Sequence, residues 1–225
     1  MIKAIVFDLD GTLLDREASI DLFLERQYDR LKPWLKNIPK NTFIKRFNEL
    51  EERGYVWKEH VYKKLIEEFN ISGCSSELLV QDYTDHFQES CIPYPGLHTM
   101  LQTLREKGYK LGMITNGLEL VQTRSIQGLG IEPFFDEILI SVKEGCAKPD
   151  PEIFNRALNR LDITSTEAIF VGDHAEKDIS AAQHVGMKAV WKKHTYSQNV
   201  QADAEIDELS ELIEIVQLWD RSAVR

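Results

Sequence analysis

Asp8 and Asp10 stand two residues apart at the end of an apolar run, a pairing suited to two-step group transfer. One carboxylate can attack as a nucleophile while the other, kept partly protonated by its neighbour's charge, donates to the leaving oxygen and later deprotonates water. Further along, Thr115-Asn116, Lys148, and Asp173 with Asp178 offer a hydroxyl, an amide, an ammonium and two more carboxylates. Carboxylates brought together repel one another and need a cation to coexist. Oxygen ligands with room for water are what Mg²⁺ favours, and that ion typically works beside substrate phosphates. Lys148 would offset the accumulated negative charge, and Thr115 and Asn116, with nearby backbone N–H groups, would hold a transferring phosphoryl. Taken singly, each aspartate reads as a turn former or helix cap, and Asp178 as a cap above all. Taken together they read as a phosphoryl-transfer site.

These residues meet only if the elements between them bring them to one edge. Residues 2–7 form a β-prone run ending at the polar loop Asp8-Leu9-Asp10-Gly11-Thr12. After Pro95-Gly96 strands and helices alternate. Strands are expected over 110–114, 137–141, 168–171 and 188–191, and helices over 97–107, 118–127, from Pro151, and over 178–184. The tail beyond Lys193 offers only an amphipathic helix near 209–219. This alternation implies an α/β fold, a doubly wound parallel Rossmann-like sheet with helices on both faces. The site residues follow its strands, at the carboxyl edge where such sheets bind ligands.

Between the first two strands the texture is helical. Ile20, Phe23, Leu24, Tyr28 and Leu31 make one apolar stripe, Phe43, Ile44, Phe47 and Leu50 a second, Val61, Leu65, Ile66 and Phe69 a third, Leu79, Tyr83 and Phe87 a fourth. The expected organisation is a core domain of residues 1–14 and 93–225, with a helical module of residues 15–92 inserted where it would overhang the site as a lid. Trp34, Tyr55, Trp57 and Tyr62 read as bundle core more readily than as a pocket lining. Lys32, Lys36, Lys40, Lys45, Arg46 and Arg53 read as solvated helix faces.

The segments Asp8-Leu9-Asp10-Gly11-Thr12-Leu13, Ile114-Thr115-Asn116-Gly117, Lys148-Pro149-Asp150-Pro151 and Gly172-Asp173 followed by Asp178 resemble, in order, the four motifs of the haloacid dehalogenase-like hydrolase superfamily. The resemblance spans nearly the whole chain outside the insert, which is similar to that superfamily's helical cap. It implies that Asp8 is the nucleophile and Asp10 the general acid/base. It further implies that the Asp8 side chain, the Asp10 main-chain carbonyl and the Asp173 side chain bind Mg²⁺, that Thr115 and Lys148 contact the phosphoryl group, and that Asp178 stands behind these ligands. Two positions depart from the pattern: His174 follows Asp173 where serine is common, and Lys177 precedes Asp178 where asparagine is common.

The expected activity is hydrolysis of a small phosphate monoester. The alternatives on the same residues are a phosphomutase, a haloacid dehalogenase, which has no need of an acid at Asp10, and a phosphate-binding protein without turnover. A formal charge of −10 argues against nucleic acid and anionic membrane as partners. The N-terminal apolar run is too short for a signal peptide or a span, so the cytoplasm is the expected compartment. Cys74, Cys91 and Cys146 have no metal-ligand spacing, and the histidines none that suits zinc. Oligomeric state has no signature in the sequence.

Overall fold

The computed structural model describes residues 1–194 and 200–222. The chain divides into two compact units, Met1–Asp15 with Pro93–Arg225, and Arg16–Ile92. Among the described residues no helix is long and apolar enough to cross a membrane.

The first unit is built on a parallel sheet of β1 (Ala4–Phe7), β2 (Lys110–Thr115), β3 (Glu137–Ile140), β4 (Ala168–Gly172), β5 (Lys188–Lys192) and β6 (Ala204–Ile206). Its strand order is β3-β2-β1-β4-β5-β6. The chain starts in the middle, winds outward to β3, then crosses back to β4, so β1 and β4 flank the place where the winding reverses. There the helices on either side diverge and leave a crevice above the carboxyl ends. Register pairs Phe7 with both Met113 and Val171. The residues that follow β1, β2 and β4 therefore emerge side by side.

Burial explains why these strands are continuous apolar runs. All four residues of β1 and all five of β4 are buried, which a strand covered on both faces demands. One face packs Val6, Ile114 and Phe170 against Ile153, Phe154 and Leu158 of the helix Pro151–Arg160. That helix begins with proline at its first position and Asp150 as cap, whose Oδ1 accepts from Glu152 N–H at 2.9 Å.

Three expectations are corrected here. The tail beyond Lys193 was to hold only a helix; it also holds β6, a three-residue edge strand too short to leave an alternating pattern. Asp203 anchors it, accepting Ala189 N–H on Oδ2 at 2.8 Å. Ser141, expected within the third strand, instead opens a short helix, Ser141–Glu144. The helix expected over 178–184 starts earlier, at Ala175, in a wide π-type turn where Asp178 and Ile179 both donate to His174 O, at 3.0 and 3.2 Å. Such an inserted residue redirects side chains, here turning Asp178 inward.

The second unit is helical: α1 (Arg16–Arg30), α2 (Lys40–Glu51), α3 (Lys58–Phe69) and α4 (Ser76–His86), with a short helix, Lys32–Leu35, between the first two. The first and fourth stripes are buried throughout and the second but for Ile44; in the third only Val61 and Leu65 are buried, Ile66 and Phe69 lie at the margin of the core, and Tyr62 takes the central place. Tyr62 is satisfied there by donating to Gln27 Oε1 at 2.9 Å. The core-aromatic reading fails for Tyr55 and Trp57, which are 61% and 52% exposed. Of the basic residues, Arg46 forks onto Glu68 and Lys40 pairs with Asp29, as solvated helix faces do.

Candidate active site

The loop after β1 places the first carboxylates. Asp8 N–H still donates to Val171 O at 2.9 Å, so Asp8 is held by the β1–β4 ladder itself. Then Thr12, Leu13 and Leu14 all donate to Leu9 O, folding the chain back on itself. Gly11 allows this turn: its φ is +88°, and a Cβ there would stand 2.3 Å from Asp173 Oδ2. No other residue fits a left-handed position against a carboxylate. Asp8 is buried with both oxygens engaged, Oδ2 by Thr12 Oγ1 at 3.0 Å and Oδ1 by Lys148 Nζ at 2.6 Å.

Lys148 is the positive centre of the site. Its side chain is 3% exposed, and Nζ bridges Asp8 Oδ1 and, at 2.7 Å, Asp178 Oδ1. Asn116 puts it there. Lys148 N–H donates to Asn116 Oδ1 and Asn116 Nδ2 donates to Lys148 O, both at 2.9 Å, a closed pair of bonds joining the loops after β2 and β3. Asn116, expected among the phosphoryl-holding residues, thus has its side chain directed to the backbone of Lys148. Thr115 is fully buried, and its hydroxyl donates to Gln122 Oε1 at 3.3 Å.

Asp173 and Asp178 come from the turn after β4. Trp191 Nε1 donates to Asp173 O at 2.9 Å, tying that turn to β5. Asp178 Oδ2 accepts His174 N–H at 3.0 Å, and the π-type turn brings the carboxyl so close to Gly172 that a Cβ there would lie 2.5 Å from Asp178 Cγ. His174 caps the turn that follows it, with Nδ1 accepting Glu176 N–H and Lys177 N–H at 3.1 Å each.

Oxygens of Asp8, Asp173 and Asp178 lie within 4.8 Å of one another. Among the described residues one ammonium, that of Lys148, stands within hydrogen-bond reach of these carboxylates, and the protonation equilibria record the imbalance. Burial pushes Asp8 up further than Lys148 pulls it down, and with Asp178 adding to the rise it reaches about 7. Burial, then Asp8 and Asp178, push Asp173 up to about 8. Burial works against the Lys148 ammonium, but Asp178 and Asp8 outweigh it and hold the amine above its ordinary range. A concentration of oxygen donors short of positive charge fits a hard divalent cation. The converging side chains are those of Asp8, Asp173 and Asp178; the Asp10 carboxylate turns to Gln122, 3.1 Å from its Nε2.

Sequence reasoning passed over several residues that build this site. Gln122 touches Asp10 and Thr115, Ser141 Oγ accepts Gly117 N–H at 3.0 Å, and Thr12 holds Asp8. Their types are ordinary for helix starts and turns. The one available signal was position, Thr12 lying inside the first motif and Gln122 and Ser141 within about seven residues of the second and third.

The model of the haloacid dehalogenase-like hydrolase family matches residues 5–192. The chain belongs to that family. Among curated relatives, a glyceraldehyde 3-phosphate phosphatase of Methanopyrus kandleri is 39% identical over 96% of this chain and 97% of its own length. A phosphoserine phosphatase of Thermus thermophilus is 26% identical over 84% of this chain and 88% of its own. Among solved structures, the putative HAD-hydrolase YfnB of Bacillus subtilis, bound to magnesium, superposes with a TM-score of 0.75 at 25% identity, covering 95% of this chain and 98% of that one. In this family frame the four motifs of the chain coincide with the four loops at the carboxyl edge of its sheet.

Proposed function

We propose that this hydrolase is a Mg²⁺-dependent phosphatase that cleaves a small phosphate monoester through an aspartyl-phosphate on Asp8. One observation carries the reading: Asp8, Asp173 and Asp178 converge with a single ammonium among them, on the loops that hold the family motifs. The oxygens of Asp8 and Asp173, with the Asp10 main-chain carbonyl, would hold Mg²⁺, which when bound supplies charge neutralisation and polarises the phosphoryl oxygens.

The chain's own residues do the rest. Thr12 and Lys148 fix both oxygens of Asp8, so the nucleophile is oriented before substrate arrives. Asp8 attacks phosphorus in line. As the bond to the ester oxygen breaks, Asp10 gives that oxygen its proton and an alcohol leaves. Asp10 then takes a proton from water, which attacks the phosphorus and releases inorganic phosphate. Lys148, kept protonated by its two carboxylates, balances charge on the transferring group, with Thr115 and the backbone beside Asn116 nearby.

For the substrate, the glyceraldehyde 3-phosphate phosphatase relative makes glyceraldehyde 3-phosphate the first compound to assay, with phosphoserine second. A dehalogenase is not favoured, because Asp10 and the buried acidic group have no task in it. A cytoplasmic setting belongs to the same proposal and agrees with the absence, among the described residues, of a disulfide between Cys74, Cys91 and Cys146. The test is phosphate release from phosphorylated metabolites and p-nitrophenyl phosphate, in Mg²⁺ and in EDTA, for wild type and Asp8→Asn. Metal-dependent release abolished by the substitution supports the proposal; release that survives in Asp8→Asn sinks it.

A further inference from the structure

Gln122 carries no chemistry of its own, yet it touches two residues that do. It sits in the first turn of α6 (Glu119–Leu129), with α5 (Leu97–Glu106) preceding β2. Its side chain is nearly buried. Nε2 donates to Asp10 Oδ2 at 3.1 Å and lies 3.5 Å from Asn116 O, while Oε1 accepts the Thr115 hydroxyl at 3.3 Å. The slot exists because residue 117 is glycine: a Cβ there would stand 2.5 Å from Gln122 Nε2. A primary amide is suited to this place because it donates at one end and accepts at the other without adding charge.

Asp10 needs such a partner. Its carboxylate is two residues from Asp8, and Asp10 is among the groups that raise both Asp8 and Asp173, so it stands within their mutual repulsion. Left alone, a short acidic side chain in that field would turn away from its neighbours. The bond from Gln122 fixes which way the carboxyl faces. The amide N–H given to Oδ2 restrains rotation of the carboxyl group and so the direction in which Asp10 can pass a proton.

We propose that Gln122 is the positioning residue for the proton transfer by Asp10. The inference rests on the reading of Asp10 as general acid. In the step concerned, the bond from Asp8 to phosphorus forms, the ester P–O bond breaks, and the Asp10 proton passes to the departing oxygen. That proton matters greatly for an alkoxide and little for p-nitrophenolate, which leaves as a stable anion.

The experiment compares kcat/KM for glycerol phosphate, or the alkyl phosphate that wild type cleaves fastest, with kcat/KM for p-nitrophenyl phosphate. This parameter stops at phosphorylation of Asp8 and so isolates the acid step. The proteins are wild type, Gln122→Met, Gln122→Ala and Asp10→Asn, all in saturating Mg²⁺. General acids contribute about a hundredfold or more, so misorienting one is expected to cost the alkyl substrate about ten- to thirtyfold in both Gln122 variants, with the aryl substrate within about threefold. The retained aryl activity reports a folded site, which a merely structural loss would not leave. Equal losses on the two substrates, or no loss, overturn the inference. If Asp10→Asn itself lacks the alkyl-selective loss, the failure lies with Asp10 as the acid.

Discussion

Removing divalent cation and raising the pH together is expected to weaken the sheet-bearing unit. Asp8 ordinarily titrates at 3.8, and burial drives it up beyond what Lys148 recovers, to about 7. A group whose folded value is raised favours the folded state below its unfolded value and withdraws that support as pH climbs through the folded one. The window therefore runs from about pH 4 to about pH 7, and Asp173, raised to about 8, extends it in the same direction. A tenfold change in proton affinity is worth about 1.4 kcal/mol, so Asp8 alone costs the folded state about 4 kcal/mol once both values are passed. For a chain of this size that is about 10 °C in melting temperature. His174, held below its ordinary value by burial, works with the opposite sign and cannot produce the effect. The assay is thermal unfolding from pH 5 to 8.5 in EDTA and in 5 mM Mg²⁺, for wild type and Asp8→Asn. Bound Mg²⁺ must displace these protons, so its gain is expected to be small at pH 5 and largest near pH 8.5. Asp8→Asn is expected to flatten the EDTA curve by several degrees. A wild-type curve in EDTA that is flat or rising, or an equal Mg²⁺ gain at both ends, refutes the reasoning.

Two further outcomes follow from other contacts. Glu51 is buried in the helical unit; burial would raise it, but Arg16 on both oxygens at 2.8 Å, together with Lys58, holds it at about 2 against an ordinary 4.5. Its contribution of about 3 kcal/mol is therefore present above pH 4.5 and lost toward pH 2, and Glu51→Gln is expected to remove about that much helical stability at neutral pH, read by circular dichroism in urea. Gly11→Ala combines a left-handed φ with a Cβ only 2.3 Å from Asp173 Oδ2, so the carboxylate must move by about 1 Å and phosphatase kcat/KM is expected to fall about a hundredfold, with a loss of about 1–2 kcal/mol of stability in urea.

The fold was legible where one physical signal dominated. Residues 4–7 and 168–171 are apolar without interruption because parallel strands covered on both faces must be, and the stripe of Ile20, Phe23, Leu24 and Tyr28 keeps helical spacing because one face of α1 is core. Legibility failed where the signal was short or tertiary. β6 is three residues whose place depends on Asp203 and the neighbouring β5. The π-type turn at Ala175 is set by His174 capping from outside it and by the room that Gly172 leaves for Asp178, neither of which is a propensity of the turn's own residues.

The same division runs through the site. The residue types needed for chemistry can be read from spacing, since an acid, a nucleophile and a cation seat each demand a carboxylate beside a strand end. What spacing cannot carry is which side chain turns toward which. Asn116 and Lys148 are 32 residues apart, and Gln122 and Asp10 are 112 apart. Those pairs exist only because β1, β2 and β4 lie side by side, with the loop that brings Lys148 drawn in beside them. A sequence in which Asn116 became serine would keep every motif-like feature except one side chain, yet would lose both bonds that hold the Lys148 backbone, and with them the ammonium that keeps Asp8 and Asp178 together. The motif letters thus mark the places where bonds must form, and the strand order decides which bonds they are.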